Sequence, residues 1–409
     1  MAIKADDIVG ARVLPRTLAG STVLQIAPAL HDDAAAHATL DIARALVHAG
    51  ARSIVAAARG ALVDELKSFG GEWLPFASAT LNPLRLRRNA RRLAGFAIEQ
   101  RVDVIHAKNP GAAASARLAI GARLVTDLPD LPRRGMTLAT LHMKALAGSN
   151  RVIASSLFNA GPIIERYRIP PERVSVVPHS IDTSVFDPTQ VRPPRVAALR
   201  QAWGIPSGIR IVLVPGHIEP DHGQIHLIET ARALIASRHR GVTFVLAGDD
   251  RRHRRYVWAI RKQAQDAGVE TLFRIAGHVA DMPAAYAAAD VVVTPDVAPP
   301  VDGRVLAEAQ AMARPVIASS IGPLPENVVA PPRMPDELRT GWLVPPGEPA
   351  ELARAIAVVL SLDAPAYRAL AARARQYGEF MFAPRRVAAA TLAIYASVLE
   401  TESSDPAFE

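Results

Sequence analysis

The chain has 409 residues, with 47 Lys and Arg against 39 Asp and Glu, a formal net charge of +8 and a pI near 10.1. Half of the residues are hydrophobic and none is cysteine, which excludes a disordered or collagen-like chain, disulfides, thiolate nucleophiles and zinc–thiolate sites. The basic excess is carried by Arg, aromatics are only 5%, and no helix-turn-helix, RNP or zinc-finger spacing occurs, so nucleic acid is not the expected partner.

At about 150 residues per domain the length predicts two or three units, each able to bury its own core. Asp6 and Asp7 fall where a signal peptide needs an unbroken apolar run, and no window nears the roughly 18 to 20 apolar residues of a spanning helix. The expectation is a cytoplasmic protein whose membrane contact, if it has one, is peripheral on the inner face. An extension over 1–20 is followed by short β-branched runs alternating with Ala-rich amphipathic stretches, the pattern of βαβ units on a parallel sheet. Strands are predicted at 22–27, 53–57, 102–106, 123–126, 151–154 and 174–177, and helices over 34–49, 62–69 and 83–100.

Near Asp182 the texture changes. Pro188, Pro193 and Pro194 cannot sit in a continuing helix or central strand, and a linker is predicted over 183–208. A second series then has strands at 211–214, 243–248, 272–276, 290–294 and 315–318 and an apolar piece at 342–344. Its helices fall at 224–237, 254–267, 282–288, 305–313 and 349–361, and 332–338 reads as a solvent loop. A long helix over 383–399, within a C-terminal segment 379–399, precedes a polar tail, 400–409, expected to be disordered. The fold class is α/β, with two Rossmann-like doubly wound domains, 21–182 and 209–378, facing across a cleft where strand ends leave room for a ligand. Gly216 and Gly303, each at a strand-to-helix junction, mark a close backbone approach or a positive φ.

The stretch GRVLAEAQAMARPVIASSIGPLPENV at 303–328 and TGWLVPPGEPAELARAI at 340–356 resemble the nucleotide-sugar motif of the family 4 glycosyltransferases, which have the two-domain GT-B architecture. PGHIEPDHGQIHLIETARAL at 215–234, LAGDD at 246–250 and GHVADMPAAYAAADVVVTP at 277–295 follow in register. VLQIAPAL, DVIHAKN, RVIASSLF and VVPHSIDTSVFDP extend the resemblance into the first half, so that it runs from about residue 22 to 399. It implies that the final helix crosses back to the N-terminal domain. It implies retaining transfer of a hexosyl unit from a nucleotide-diphosphate sugar to an envelope polysaccharide or lipid-linked acceptor, with no metal and no cofactor beyond that donor.

A departing diphosphate needs cations or helix-end amides. The family's Arg and Lys for that task fall on His217 and His222, and imidazoles that charge near pH 6.5 predict a diphosphate affinity that climbs from pH 8 to 6. Of the family's paired glutamates, the first falls on Pro300 and the second, the ribose ligand, on Glu308. Asp302 is the nearest carboxylate to the missing first one. The implied donor set is Gly216, His217, His222, Gly303 and Glu308, with His217, His222 and Asp302 at the catalytic positions. Each also has a plainer reading, as a surface histidine, a loop acid, an exposed helix acid or a structural turn.

Other family positions depart as well: the glycine-rich loop reads HDDAAAH at 31–37, the histidine after the fourth strand is replaced within TDLPDLP at 126–132, and Pro323 replaces a second glycine. Framework motifs kept while site positions change leave a second reading open, a pseudo-glycosyltransferase that acts as a binding or regulatory partner. Two Arg clusters, Arg85, Arg87, Arg88, Arg91 and Arg92, then Arg251, Arg252, Arg254 and Arg255, read as solvated faces. The first, with Leu84, Leu86 and Leu93, also suits an anionic membrane surface or a lipid-linked acceptor.

Overall fold

The computed structural model describes residues 18–80, 82–117, 122–128, 146, 148–249 and 251–400. The described residues form two units, one reaching Ser180 and resuming at Pro384, the other Ile181–Ala383. Residues 1–17 of the expected extension, 401–409 of the tail and 129–132 of the TDLPDLP motif lie outside the described residues.

The first unit runs β1 (Thr22–Ala29), α1 (Ala34–His48), β2 (Arg52–Ala58), α2 (Val63–Ser68), β3 (Glu72–Pro75), α3 (Pro83–Glu99), β4 (Val104–Ala107), α4 (Pro110–Ala116), β5 (Arg123–Asp127), β6 (Arg151–Ala154), α5 (Leu157–Tyr167) and β7 (Val174–Val176). All its strand pairs are parallel, in the order β3-β2-β1-β4-β5-β6-β7. Side-chain caps set the helix starts: Asp33 accepts from the Ala36 N–H at 2.9 Å, and Asn82 and Asn109 do the same for α3 and α4. Each satisfies an N–H that the helix itself cannot pair.

The second unit has α6 (Pro193–Ala202), β8 (Arg210–Pro215), α7 (Leu227–Ala236), β9 (Val242–Ala247), α8 (Arg254–Asp266), β10 (Phe273–Gly277), α9 (Met282–Ala288), β11 (Val291–Thr294), α10 (Arg304–Ala311), β12 (Val316–Ser319), β13 (Gly341–Val344), α11 (Pro349–Ser361) and α12 (Ala364–Phe382). Its sheet is also parallel, in the order β10-β9-β8-β11-β12-β13. Alternate residues of β8 enter two cores: Val212 and Val214 meet α7, α8 and α11, while Ile211 and Leu213 meet α9 and α10. A sheet covered on both faces requires such continuous apolar strands.

α13 (Pro384–Glu400) belongs to the first unit, where Val387, Leu392, Ile394 and Tyr395 pack with Val23, Ile42, Leu46, Val104 and Val125. Five elements had no sequence expectation: β3, α4, α5, α6 and α12. The stretch 183–208 is part of the second unit, and it includes α6, whose first two residues are Pro193 and Pro194. A proline at the first turn loses no intrahelical bond, so the pair that argues against a continuing helix is well placed to start one. Residues 332–338 are exposed, as expected, with one 3-10 turn at Asp336–Leu338. Among the described residues no single helix is long and apolar enough to cross a membrane.

Candidate functional site

In the second sheet β8 and β11 are neighbours, and the chain leaves them toward opposite edges. This is the point in an open α/β sheet where backbone groups at the strand ends are left free for a ligand. The loops after β8 and β11 carry Gly216, His217, His222, Pro300, Asp302 and Gly303, so most of the expected donor residues lie at one end of one sheet.

Gly216 has φ +119°, a region that L side chains rarely adopt, and the space where a Cβ would stand is open. Gly303 is different. A Cβ there would meet the Asn327 side chain at 2.3 Å, so its missing side chain admits its own chain. His217 is exposed, and its carbonyl accepts from Gln224 Nε2 at 2.8 Å.

His222 lies among carboxylates. Its Nδ1 is 2.5 Å from Oδ1 of buried Asp296 and its Nε2 is 3.3 Å from Glu219 Oε1. Partial burial opposes the imidazolium, but the Asp296 hydrogen bond and the charges of Asp296, Glu219 and Asp221 outweigh it and raise the pKa. His253 Nε2 reaches the other oxygen of Glu219 at 3.3 Å. The Asp221 carbonyl accepts the N–H groups of Val297 and Ala298, which ties the two loops together. The imidazole that sequence chemistry treats as neutral is thus biased toward its charged form, and its charge compensates three acids.

Glu308 lies in α10, largely buried, with Oε2 accepting from the Tyr286 hydroxyl at 2.9 Å. Burial raises its pKa to about 7, against the pull of Tyr286 and Arg304, while Asp302 adds to the rise. Tyr286 comes from α9 and is fully buried. Asp302 accepts from the Arg304 N–H at 3.0 Å, and its other oxygen is 4.0 Å from Arg304 Nε. Arg304 therefore stands between Asp302 and Glu308, the first helical residue after Gly303 and a cation that the sequence reading did not single out. Among the described residues no group of three His, Asp or Glu is placed to hold a metal ion.

The first unit has a polar cluster of its own, which sequence reasoning missed. His106, in β4 and 1% exposed, has Nε2 at 2.6 Å from Asp127 Oδ1 and Nδ1 at 2.7 Å from the hydroxyl of Tyr395 in α13. Burial lowers the His106 pKa despite Asp127, so the ring is neutral: Nε2–H donates to the carboxylate and Nδ1 accepts from Tyr395. Lys108 Nζ stands 3.9 Å from Asp127 Oδ2. The only sequence signal was DVIHAKN, whose His lies in a buried strand and whose Lys, two residues on, follows it. Tyr395 lies 289 residues away and gave none.

Arg85, Arg87, Arg88, Arg91 and Arg92 lie on the exposed face of α3, whose Leu86, Ala90, Leu93 and Ala97 are buried. Leu84 and Ile98 share the outer face at 75% and 69% exposure. Arg251, Arg252, Arg254 and Arg255 are exposed at the start of α8.

Residues 35–185 match the family described as Glycosyltransferase Family 4, and residues 209–361 match Glycosyl transferases group 1. A D-inositol 3-phosphate glycosyltransferase of Streptomyces scabiei is 30% identical over 239 residues, 56% of this chain and 51% of that protein. One of Kineococcus radiotolerans is 29% identical over 276 residues, 64% and 60% of the two chains. The chain thus spans about half the length of the first of these relatives. Among solved structures, a glycosyltransferase from Rickettsia africae superposes with a TM-score of 0.77 at 24% identity, covering 93% of this chain and 99% of that one. Anabaena HepE in complex with UDP and glucose gives 0.67 at 24%, with 94% and 99% covered. One match falls on each Rossmann-like unit, and the chain is a GT-B protein whose first domain is of the family 4 glycosyltransferase type and whose second is of the group 1 type.

Proposed function

We propose that this protein is a retaining glycosyltransferase that takes a hexosyl unit from a nucleotide-diphosphate sugar and passes it to a lipid-linked or envelope polysaccharide acceptor. In that reaction the bond from the anomeric carbon to the diphosphate oxygen breaks, the diphosphate leaves with the electron pair, and the acceptor hydroxyl bonds to the same carbon and gives up its proton to the departing diphosphate. The relatives named D-inositol 3-phosphate glycosyltransferases support the reaction class. The UDP in Anabaena HepE supports uridine as the first nucleoside to try. WaaG, a glycosyltransferase involved in lipopolysaccharide biosynthesis, shares the fold with a TM-score of 0.60 and supports an envelope acceptor.

The observation that carries the reading is Glu308: a carboxyl in α10 just beyond the β8/β11 switch point, one oxygen held by Tyr286 and the other left to accept from a ribose hydroxyl. Exposed His217 and half-buried Arg304 supply the diphosphate contacts. Calorimetric titration with UDP, GDP and ADP tests it. The expected result is Kd in the micromolar to millimolar range for one of them, weakened about ten- to a hundredfold by Glu308→Ala, which removes charge-assisted bonds worth roughly 1.5 to 3 kcal/mol. No binding to the folded protein at millimolar concentration would falsify the donor reading. With Pro300 where a first glutamate falls, that outcome would favour a pseudo-glycosyltransferase acting as a protein partner.

A further inference from the structure

Helix α8 and strand β10 belong to the second unit but take no part in the donor reading. β10 ends the second sheet and pairs with β9 alone, and after buried Phe273 each of its residues is half-exposed. A groove of about 270 Å³ runs between β10 and α8. Ile260 of α8 and Phe273 and Ile275 of β10 give it an apolar lining, while Arg261, Arg274 and Glu270 stand around it. Arg274 is already engaged, since its guanidinium donates to the carbonyls of Trp203, Thr271 and Phe273. Arg261 is not. Among the described residues neither it nor Arg254 nor Arg255 pairs with a carboxylate.

The outer face of α8 continues the rim of this groove. Val257, Ile260 and Ala264 are buried along one side of the helix, and Trp258 lies on the other at 66% exposure. Arg254 and Arg255 precede Trp258, and Arg261 follows it, at the three- and four-residue spacings that make helix side chains surface neighbours. The first turn of α8 holds no acid, so Arg254 and Arg255 stand at the positive end of the helix dipole, where cations cost stability. An indole left in water among three uncompensated guanidinium groups has the composition of an interface hot spot, where Trp and Arg are enriched.

Three features select the partner. The guanidinium groups complement carboxylates, which makes the partner acidic. The apolar lining receives a side chain, and the open edge of β10 presents main-chain groups that only another polypeptide can match, laid alongside as an extended segment. A bilayer would meet Trp258 and the arginines but leave the groove unfilled.

We propose that the groove between α8 and β10, with Arg261, Trp258, Arg254 and Arg255 along its rim, docks an extended acidic segment of a partner protein and seats one apolar side chain of that segment.

Selection of a phage-displayed library of random dodecapeptides on the immobilised full chain tests this, followed by fluorescence anisotropy with the most enriched peptide. The expected peptides are rich in Asp and Glu around an aliphatic or aromatic residue. Their binding should weaken about tenfold or more in Trp258→Ala and in Arg261→Glu, both exposed positions whose change leaves the core intact. Arg232→Glu, an equal change of charge on α7, should leave binding as in wild type, and hydrogen exchange should slow over residues 273–277 when the peptide is bound. The proposal is overturned if the selected peptides carry no excess of acid over the unselected library, if no peptide binds, or if Trp258→Ala and Arg261→Glu bind as wild type does. Equal weakening by Arg232→Glu would reduce the effect to net charge, and exchange unchanged over 273–277 would take β10 out of the contact; either result overturns it as well. Phosphatidylglycerol vesicles that bind through Trp258 and Arg261 when no peptide is selected would assign the face to lipid instead. UDP titration of the same samples reports the donor reading separately, because none of the substituted residues lies in the loops after β8 and β11.

Discussion

At neutral pH the Glu308 carboxyl is about half protonated, because burial resists its charge more than Tyr286 and Arg304 support it. A ribose diol is held best by the carboxylate, which only accepts. His222 titrates with the opposite consequence: once it loses its proton, Asp296, Glu219 and Asp221 stand uncompensated and repel a diphosphate. The histidines alone predict affinity that climbs steadily from pH 8 to 6. With Glu308 taking up its proton at about 7, UDP affinity is instead expected to peak near neutrality and fall on both sides. Calorimetry at pH 5.5, 7 and 8.5 checks this, and Glu308→Gln should abolish the acid-side fall while leaving the alkaline one. A profile of the same shape in that variant would remove Glu308 from the site. Stability gives an independent reading. A carboxyl raised from 4.5 to about 7 contributes stability that is present below 4.5 and lost as pH rises through 7. Glu308→Gln should therefore be more stable than wild type at pH 8, on the order of 3 kcal/mol, with no difference near pH 4.5.

Among the elements, α3 carries the strongest chemistry not absorbed by a site. Its buried stripe of Leu86, Ala90, Leu93 and Ala97 spends one face on the core, and five arginines with Leu84 and Ile98 make up the other. We expect this face to bind an anionic bilayer, each Arg contributing about 1 kcal/mol near the surface and the two apolar side chains entering the headgroup region. Co-sedimentation with phosphatidylglycerol vesicles should show binding that falls with salt, and Arg87→Glu with Arg91→Glu should reduce it about tenfold or more. Equal sedimentation with neutral phosphatidylcholine vesicles would rule this out. Arg92 is the least available of the five, since its Nη2 donates to the Pro75 carbonyl at 3.0 Å and its guanidinium lies over the Phe76 ring.

For the molecule as a whole the chain crosses between units twice, at Ser180/Ile181 and at Ala383/Pro384. The second unit is continuous in sequence and has both of its own cores, so a 181–383 fragment is expected to fold cooperatively by itself. The first unit is discontinuous. Without α13 it would expose Val23, Ile42, Leu46, Val104 and Val125 and leave His106 Nδ1 unpaired, the first loss resembling several large-to-small core changes at roughly 2 to 5 kcal/mol each. A fragment ending at residue 180 should therefore aggregate or unfold, and one with 384–400 joined through a flexible linker should recover a cooperative melt. Recovery without that helix would show that its packing contributes little.

The order of strands and helices, the doubly wound class and the place of the site loops were legible because they depend on local chemistry: β-branched runs, Ala-rich amphipathic stretches and glycines at strand ends. Gly216 was named on that basis, whereas His217, His222 and Glu308 were named through the resemblance to the family 4 motifs. Helices α6 and α12 escaped notice because prolines at a first turn look like breakers, and because a 19-residue helix with only a weak apolar stripe resembles a connection. What each site residue does depended on partners distant in the chain. Asp296, 74 residues from His222, biases the imidazole toward its charged form; Tyr286, 22 residues from Glu308, holds one of its oxygens. Tyr395 fixes the tautomer of His106 from 289 residues away. Desolvation and hydrogen bonding act through space, so the periodicity of one segment cannot report the charge on a side chain that another segment buries. Residue types and their order came from the sequence, and their protonation states came from the tertiary structure.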